Sequence, residues 1–181
     1  MRASASVDPV VDSYLPLRIF GVGKVAAGDD TISNFGVPDF KYGGETYSTI
    51  GVVSNGYLVL GGGDSGDIVF IPQHFPNAAR PNNVVAPFWS DLNPTAIPVG
   101  SSAGIRVAIL SDAPPPTGSG KSFIVIDWDR VPNFSNATSQ QFEIWLETAG
   151  PGAGISITYG TIGAGDPGPA CNYAAENRTG T

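Results

Sequence analysis

The sequence predicts an all-β fold, an antiparallel β-sandwich with Gly/Pro-rich loops. Three observations predict it. Apolar residues alternate with polar ones at period 2, no stretch carries a convincing helical pattern, and 24 Gly and 16 Pro punctuate the runs of Val, Ile, Phe, Tyr and Trp. Successive side chains of a strand point to opposite faces, so period 2 marks sheets with one buried face. Gly supplies positive φ and Pro fixes turn corners, which suits many short strands joined by tight turns. At 181 residues the chain is long enough for one domain with a core and short for two. The strand spacing fits a sandwich better than a closed barrel.

Residues 1–13 are small, polar and without periodicity, and read as a linker remnant before a single domain over 14–181. The clearest hairpin joins Tyr47–Ser54 (YSTIGVVS) to Tyr57–Leu60 (YLVL) through Asn55-Gly56. Asn-Gly tolerates the positive φ that a type I′ turn needs at both central positions, so a two-residue loop is expected. Asn83–Asp91 is the next candidate strand. In Gly104–Leu110, Ile105, Val107 and Ile109 share a face. In Lys121–Val131, Ile124, Ile126 and Trp128 form one face and Asp127 and Asp129 the other, expected to meet solvent. In Gln141–Thr148, Phe142, Ile144 and Leu146 oppose Glu143, Trp145 and Glu147. In Gly154–Gly160, Ile155, Ile157 and Tyr159 alternate with Ser156 and Thr158. The expected core includes Ile124, Ile126, Phe142, Ile144 and Ile157, and the expected helix content is a turn near Ile71–Ala79. The connections Ser111–Gly120, Pro132–Ser139 and Gly150–Ala153 are turn-rich, and none has the length or charge run of an interdomain linker.

The formal net charge is −7, from 9 Lys and Arg against 16 Asp and Glu. A nucleic-acid binder needs a basic field to displace counterions from phosphates, and an anionic lipid surface repels this chain for the same reason. No stretch approaches the 18 consecutive apolar residues of a membrane-spanning helix. Cys171 is the only cysteine, which excludes an intramolecular disulfide and a cysteine metal cluster. Residues 1–16 lack the apolar region of a signal peptide. Met1 is also the only methionine, and the expectation is a start placed before an excised domain.

Several strings imitate catalytic motifs. Gly63-Asp64-Ser65-Gly66 copies the surroundings of the trypsin-like nucleophile, but the only histidine, His74, follows by nine residues, whereas that mechanism orders histidine first. A Gly-rich turn after a strand explains the string more simply. Thr117-Gly118-Ser119-Gly120-Lys121-Ser122 ends like a phosphate-binding loop, yet it runs into a strand and has no helix N-terminus to face a phosphate. Gly163-Ala164-Gly165-Asp166-Pro167-Gly168 matches a dinucleotide glycine pattern without the βαβ unit that gives it meaning. One His and one Cys cannot build a zinc centre. Calcium is the one cofactor with candidate ligands, Asp64 with Asp67 or Asp29 with Asp30, although neither pair has the spacing of a calcium loop. The pair Asp127 and Asp129 could in principle act as glycosidase carboxylates, and the solvent face of a strand is the simpler reading. Trp89 and Trp145 are either sugar-stacking platforms or core, with Trp145 expected to be the more exposed.

Four strings occur in one order: Tyr47–Gly62 (YSTIGVVSNGYLVLGG), Arg80–Pro94 (RPNNVVAPFWSDLNP), Lys121–Phe134 (KSFIVIDWDRVPNF) and Ala175–Thr181 (AENRTGT). From about Tyr14 to its end the chain resembles the β-rich region that follows the catalytic domain in secreted bacterial subtilisin-like serine proteases. More distantly it is similar to the extracellular domain of nidogen-type adhesion proteins, through the same Asn-Gly hairpin, APFW strand and Trp-bearing strand. In neither family does this region supply catalytic residues, and the triad motifs of the proteases have no match here. The first resemblance implies a non-catalytic accessory domain, extracellular and secreted, that holds substrate, docks or stabilises a protease. Its partner would be the parent's catalytic domain or an extracellular protein or polysaccharide. That family pattern usually continues beyond the stop at Gly180-Thr181, which implies a C-terminal truncation. The second resemblance implies an adhesion or matrix-type interaction module. A carbohydrate-binding β-sandwich, marked by exposed Trp or Tyr on a concave face, is the third reading.

Overall fold

The computed structural model describes residues 13–112, 115, 119–136, 138–148 and 154–163. The expectations of a linker over residues 1–13, for all but residue 13, and of a truncated C-terminus lie outside the described residues, as do the glycine pattern from residue 164 onward and Cys171. Among the described residues eight strands form two antiparallel four-stranded sheets. The first sheet runs in the order β1 (Ile32–Tyr42), β2 (Glu45–Val53), β3 (Tyr57–Leu60) and β4 (Val84–Val85). The second runs β5 (Gly104–Ser111), β6 (Ser122–Pro132), β7 (Ser139–Glu147) and β8 (Ile155–Ile162). No α-helix occurs among the described residues, only short 3₁₀ turns at Leu17–Phe20, Ser65–Asp67 and Pro94–Ala96. The turn expected near Ile71–Ala79 is not helical.

The sheets face each other across one core, which makes the fold a β-sandwich. Ile50, Val52, Leu58 and Leu60 of the first sheet meet Ile105, Ile124, Ile126, Trp128, Phe142, Ile144 and Leu146 of the second. Trp128 stacks on Phe142 with ring centroids 5.0 Å apart. Burying side chains of this size contributes about 1.5–3 kcal/mol each, so this layer dominates stability. Ile157 departs from expectation and stays 41% exposed. Its strand, β8, is an edge of its sheet, where inward-pointing side chains reach the rim of the sandwich.

The β2–β3 hairpin forms with a different turn. Val53 pairs with Tyr57, leaving the three-residue loop Ser54, Asn55 and Gly56. Gly56 N–H donates to the Val53 carbonyl at 3.2 Å. Gly56 has φ 82°, and Asn55 is not among the positive-φ residues. This is a type I turn closed by a left-handed glycine, the common three-residue hairpin, and not a type I′ turn. Asn83–Asp91 contributes only the two-residue β4 before its backbone leaves the sheet. The long β1 escapes the sequence pattern because Gly36 and Pro38 interrupt it, and its register shifts between Gly36 and Phe40. Proline is tolerated there because β1 is an edge strand.

The sandwich has covered outer faces. Over the first sheet, the chain after β3 packs Ile68, Val84, Ala86 and Trp89 on Val53, Tyr57 and Val59. Over the second, the N-terminal segment Tyr14–Val22 lays Leu15, Leu17 and Val22 on Phe123, Val125 and Trp145. Trp145 is therefore 1% exposed, and Asp127, Asp129 and Glu143 are fully buried. The expected solvent face of β6 and β7 is a second interior, because an aperiodic segment supplies a third layer that strand periodicity does not encode.

Candidate functional site

The Gly63–Gly66 string builds a cap. Asp64 accepts Gly66 N–H at 2.7 Å, and Asp67 Oδ2 accepts Asp64 N–H at 3.0 Å, a reciprocal capping box around the Ser65–Asp67 turn. Arg80 spans both calcium candidates, 2.8 Å from Asp64 Oδ1 and, through Nε, 2.8 Å from Asp67 Oδ1. The guanidinium holds the Asp67 carboxyl below the usual range, and the Gly66 amide and Arg80 do the same for Asp64. The acids of this loop thus serve a turn and an ion pair, and Ser65 sits inside the turn.

This cap anchors the chain that crosses the first sheet. Tyr57 Oη donates to the Asp67 carbonyl at 2.6 Å and accepts Val69 N–H at 2.8 Å. Burial, more than the neighbouring Asp67, pushes the Tyr57 phenol up to about 12. Trp89 tilts over Tyr57 at 4.4 Å and spends its indole N–H on the Val69 carbonyl at 2.8 Å. Beyond this support the surface turns apolar. Phe70, Ile71 and Phe75 are exposed, Phe75 by 61%. Phe75, Pro76 and Val84 line, with Tyr42, Asn77, Asn82 and Asn83, an open groove of about 620 Å³. Exposed aromatics on a fixed base, rimmed by asparagine amides, suit a protein contact.

A second constellation lies at the end of the hairpin. Asp29, Asp30 and Asp91 bring one carboxylate oxygen each within 4.8 Å of one another. Burial, then the charge of Asp30, raises the Asp29 carboxyl, whose Oδ1 is buried without a hydrogen-bond partner. These residues, more than Asp64 and Asp67, could hold a divalent cation, since calcium prefers several oxygens and Arg80 already occupies the other pair. Asn55 braces them. Fully buried, it donates to Asp30 Oδ1 at 2.6 Å and accepts Leu92 N–H at 3.0 Å.

The third constellation is the carboxylate group beneath Tyr14–Val22. Asp127 accepts Tyr14 Oη at 2.8 Å and Leu17 N–H at 2.9 Å. Glu143, its cross-strand partner, accepts Leu15 N–H, Trp145 Nε1–H and Thr158 Oγ1–H on Oε2, at 3.2, 3.1 and 2.7 Å. Burial raises both carboxyls to about 7 and the Tyr14 phenol above its ordinary value. For Asp129 burial is outweighed by hydrogen bonds from Arg130, Gln141 and Arg18, and its carboxyl lies low. Arg130 reaches Asp129 from a bulge in β6, where its own φ is 54°. Asp127 and Asp129 share a face as expected, but a protein segment covers them. Strand spacing flagged this pair; Tyr14, Glu143 and Arg80 carried no motif, and only register and the layer above disclose their roles.

The chain belongs to the NIDO-related family, whose model matches residues 11–170. Modules of this family are of an extracellular, non-catalytic type. The nidogen-type resemblance is the one this match supports; it carries no assignment to a protease. No curated protein and no solved structure matches the chain. Among the described residues no helix is long and apolar enough to cross a membrane.

Proposed function

We propose that this chain is the protein-binding module of a larger secreted protein and that it engages its partner through the groove of Tyr42, Phe75 and Val84. The exposed aromatic Phe75, against the half-buried Trp89 that rests on the buried Tyr57, carries this reading. Rigid aromatic anchors lose little side-chain entropy on binding and dominate the energetics of interfaces. The strings that resemble protease accessory regions favour as parent a secreted subtilisin-like serine protease, for which the module would hold protein substrate or dock the enzyme. Family membership supports the alternative of an adhesion or matrix-type parent. A sugar platform has less support, because Trp128 and Trp145 are buried and the Trp89 indole N–H is already bonded.

The test uses the intact parent, the same parent without residues 14–181, and a Phe75→Ala parent. Under this reading all three hydrolyse a peptide ester alike, while KM for casein rises by about 10-fold in both altered forms, the loss of one 1.4 kcal/mol anchor. Unchanged casein kinetics in both would overturn substrate holding. A gene without an upstream triad-bearing domain would move the module to the adhesion reading. Ester hydrolysis by the isolated chain would overturn both.

A further inference from the structure

The proposed groove makes no use of the buried carboxylates on the opposite side of the sandwich, and their geometry has a consequence of its own. We propose that Tyr14–Val22 is a proton-controlled strap, held on the outer face of the second sheet when Asp127 and Glu143 are neutral and loosened when they ionise.

Three of the strap's polar attachments converge on these two side chains. Tyr14 Oη and Leu17 N–H bind Asp127, and Leu15 N–H binds Glu143. Asp127 and Glu143 stand directly opposite each other on β6 and β7, on one face, and neither is exposed to solvent. Two ionised carboxylates in that arrangement repel and lack hydration. Glu143 Oε1 in particular is buried and has no hydrogen-bond partner among the described residues. Their surroundings do not neutralise them. Arg106 on β5, Arg18 on the strap and Arg130 on β6 all contact Asp129, at 3.4, 2.8 and 2.9 Å. Asp129 stays ionised under these three cations and adds its own repulsion to Asp127, which Arg106 partly relieves. Among the described residues that leaves Asp127 and Glu143 with hydrogen bonds and no contact ion pair.

The sign follows from burial. With the strap in place both carboxyls are raised, burial being the first cause, to about 7; with the strap lifted, water returns and each falls toward its ordinary value near 4. Between those limits the strapped state binds more protons, so acid favours it and a rise in pH through 7 weakens it. The remaining attachments are Leu17 among Phe123, Val125 and Trp145, the Arg18–Asp129 pair, and Arg106 Nε–H on the Val22 carbonyl at 3.1 Å. These contacts use neither Asp127 nor Glu143, so loosening is local and uncovers Trp145 while the sandwich stays intact.

Hydrogen exchange read by mass spectrometry on the whole chain tests this, with rates corrected for the intrinsic pH dependence of amide exchange. The peptide spanning 14–22 is expected to lose about 10-fold in protection between pH 5.5 and 8.5, the factor carried by one pKa unit. Peptides from β3 and β6 should stay far better protected than the strap at every pH. In Asp127→Asn/Glu143→Gln the strap peptide should retain its acid-level protection at pH 8.5. Glu143→Gln alone, which leaves the Asp127 contacts in place, serves if the double variant does not fold and should reduce the pH response. Equal strap protection across the pH range in the unaltered chain would overturn the proposal. So would strap protection at pH 8.5 as strong as that of the β3 and β6 peptides, which would mean that the strap exchanges only by global unfolding.

Discussion

Gly56 lies so close to Phe88 that a Cβ built on it would sit 2.0 Å from the Phe88 carbonyl oxygen. The glycine is needed twice, for its φ of 82° and for the approach of the β4–β5 connection to the hairpin tip. Gly43, with φ 59°, has nothing within 4 Å of its Cβ position. Gly43→Ala should therefore cost only backbone strain, about 1 kcal/mol. Gly56→Ala should cost more and Gly56→Val more still, at least about 1–3 kcal/mol. Gly66→Ala should cost less than Gly56→Ala, since its φ is not left-handed and its Cβ would meet the side chains of Arg80 and Asp64 and no backbone atom. Urea midpoints of the four variants check this order, and equal midpoints for Gly43→Ala and Gly56→Ala would refute the close approach.

Asn55 was legible as a turn former, and its larger role was not. Its amide ties Asp30 and Leu92 together at 0% exposure, a pairing across 25 and 37 residues that no local pattern announces. Asn55→Ala leaves the buried Leu92 N–H without an acceptor, and a loss of about 1–3 kcal/mol is expected. Thermal unfolding measures it. A Tm within experimental error of the unaltered chain would mean that Leu92 finds another acceptor.

The strap should be separable from the sandwich in stability measurements. Leu17 is fully buried against Phe123, Val125 and Trp145, and its truncation opens a cavity in the second, smaller cluster. Leu17→Ala should cost about 2–5 kcal/mol if the strap cannot collapse onto the gap, and less if it lifts away. Acrylamide quenching of tryptophan fluorescence distinguishes the two, because Trp145 becomes accessible only when the strap lifts.

What the sequence made readable was the alternation within single strands. The inward residues Ile124, Ile126, Phe142 and Ile144 are all buried as period 2 requires. It did not disclose what covers the other face. Trp145 and Asp127 look like solvent-facing residues until Leu17 and Tyr14 are laid over them, and residues 14–22 have no periodicity to announce the contact. The acids show the same limit. Asp29 and Asp30 are neighbours in sequence, but Asp91 joins them only through the fold, and Arg80 reaches Asp64 and Asp67 across a loop. Spacing along a chain finds pairs on one strand and misses partners brought in from elsewhere.

Any calcium bound by this chain should go to Asp29, Asp30 and Asp91. Arg80 already occupies Asp64 and Asp67, and a cation there would face the guanidinium. In a calorimetric titration, heat from calcium should vanish in Asp91→Asn and survive in Asp64→Asn. The reverse pattern would return the site to the capped loop.

The pH dependence of global stability should have two limbs of opposite sign. Asp67 and Asp129 have lowered carboxyls, so their contribution is present above the unfolded value near 4 and is lost as pH falls through their folded values. Asp127 and Glu143 are raised to about 7, so theirs is complete below the unfolded values and is lost as pH rises toward and through 7. Stability should thus peak near pH 4 and decline toward pH 8, each of the two groups giving a slope of at most about 1.4 kcal/mol per pH unit. Asp127→Asn/Glu143→Gln removes the groups behind the upper limb and leaves Asp67 and Asp129 in place. Urea midpoints of this variant should hold level from pH 5 to pH 8 and still fall below pH 4. If the unaltered chain grew more stable from pH 5 to pH 8, burial would not be what governs these carboxyls, and the hydrogen bonds from Tyr14, Leu15 and Leu17 would be holding them ionised.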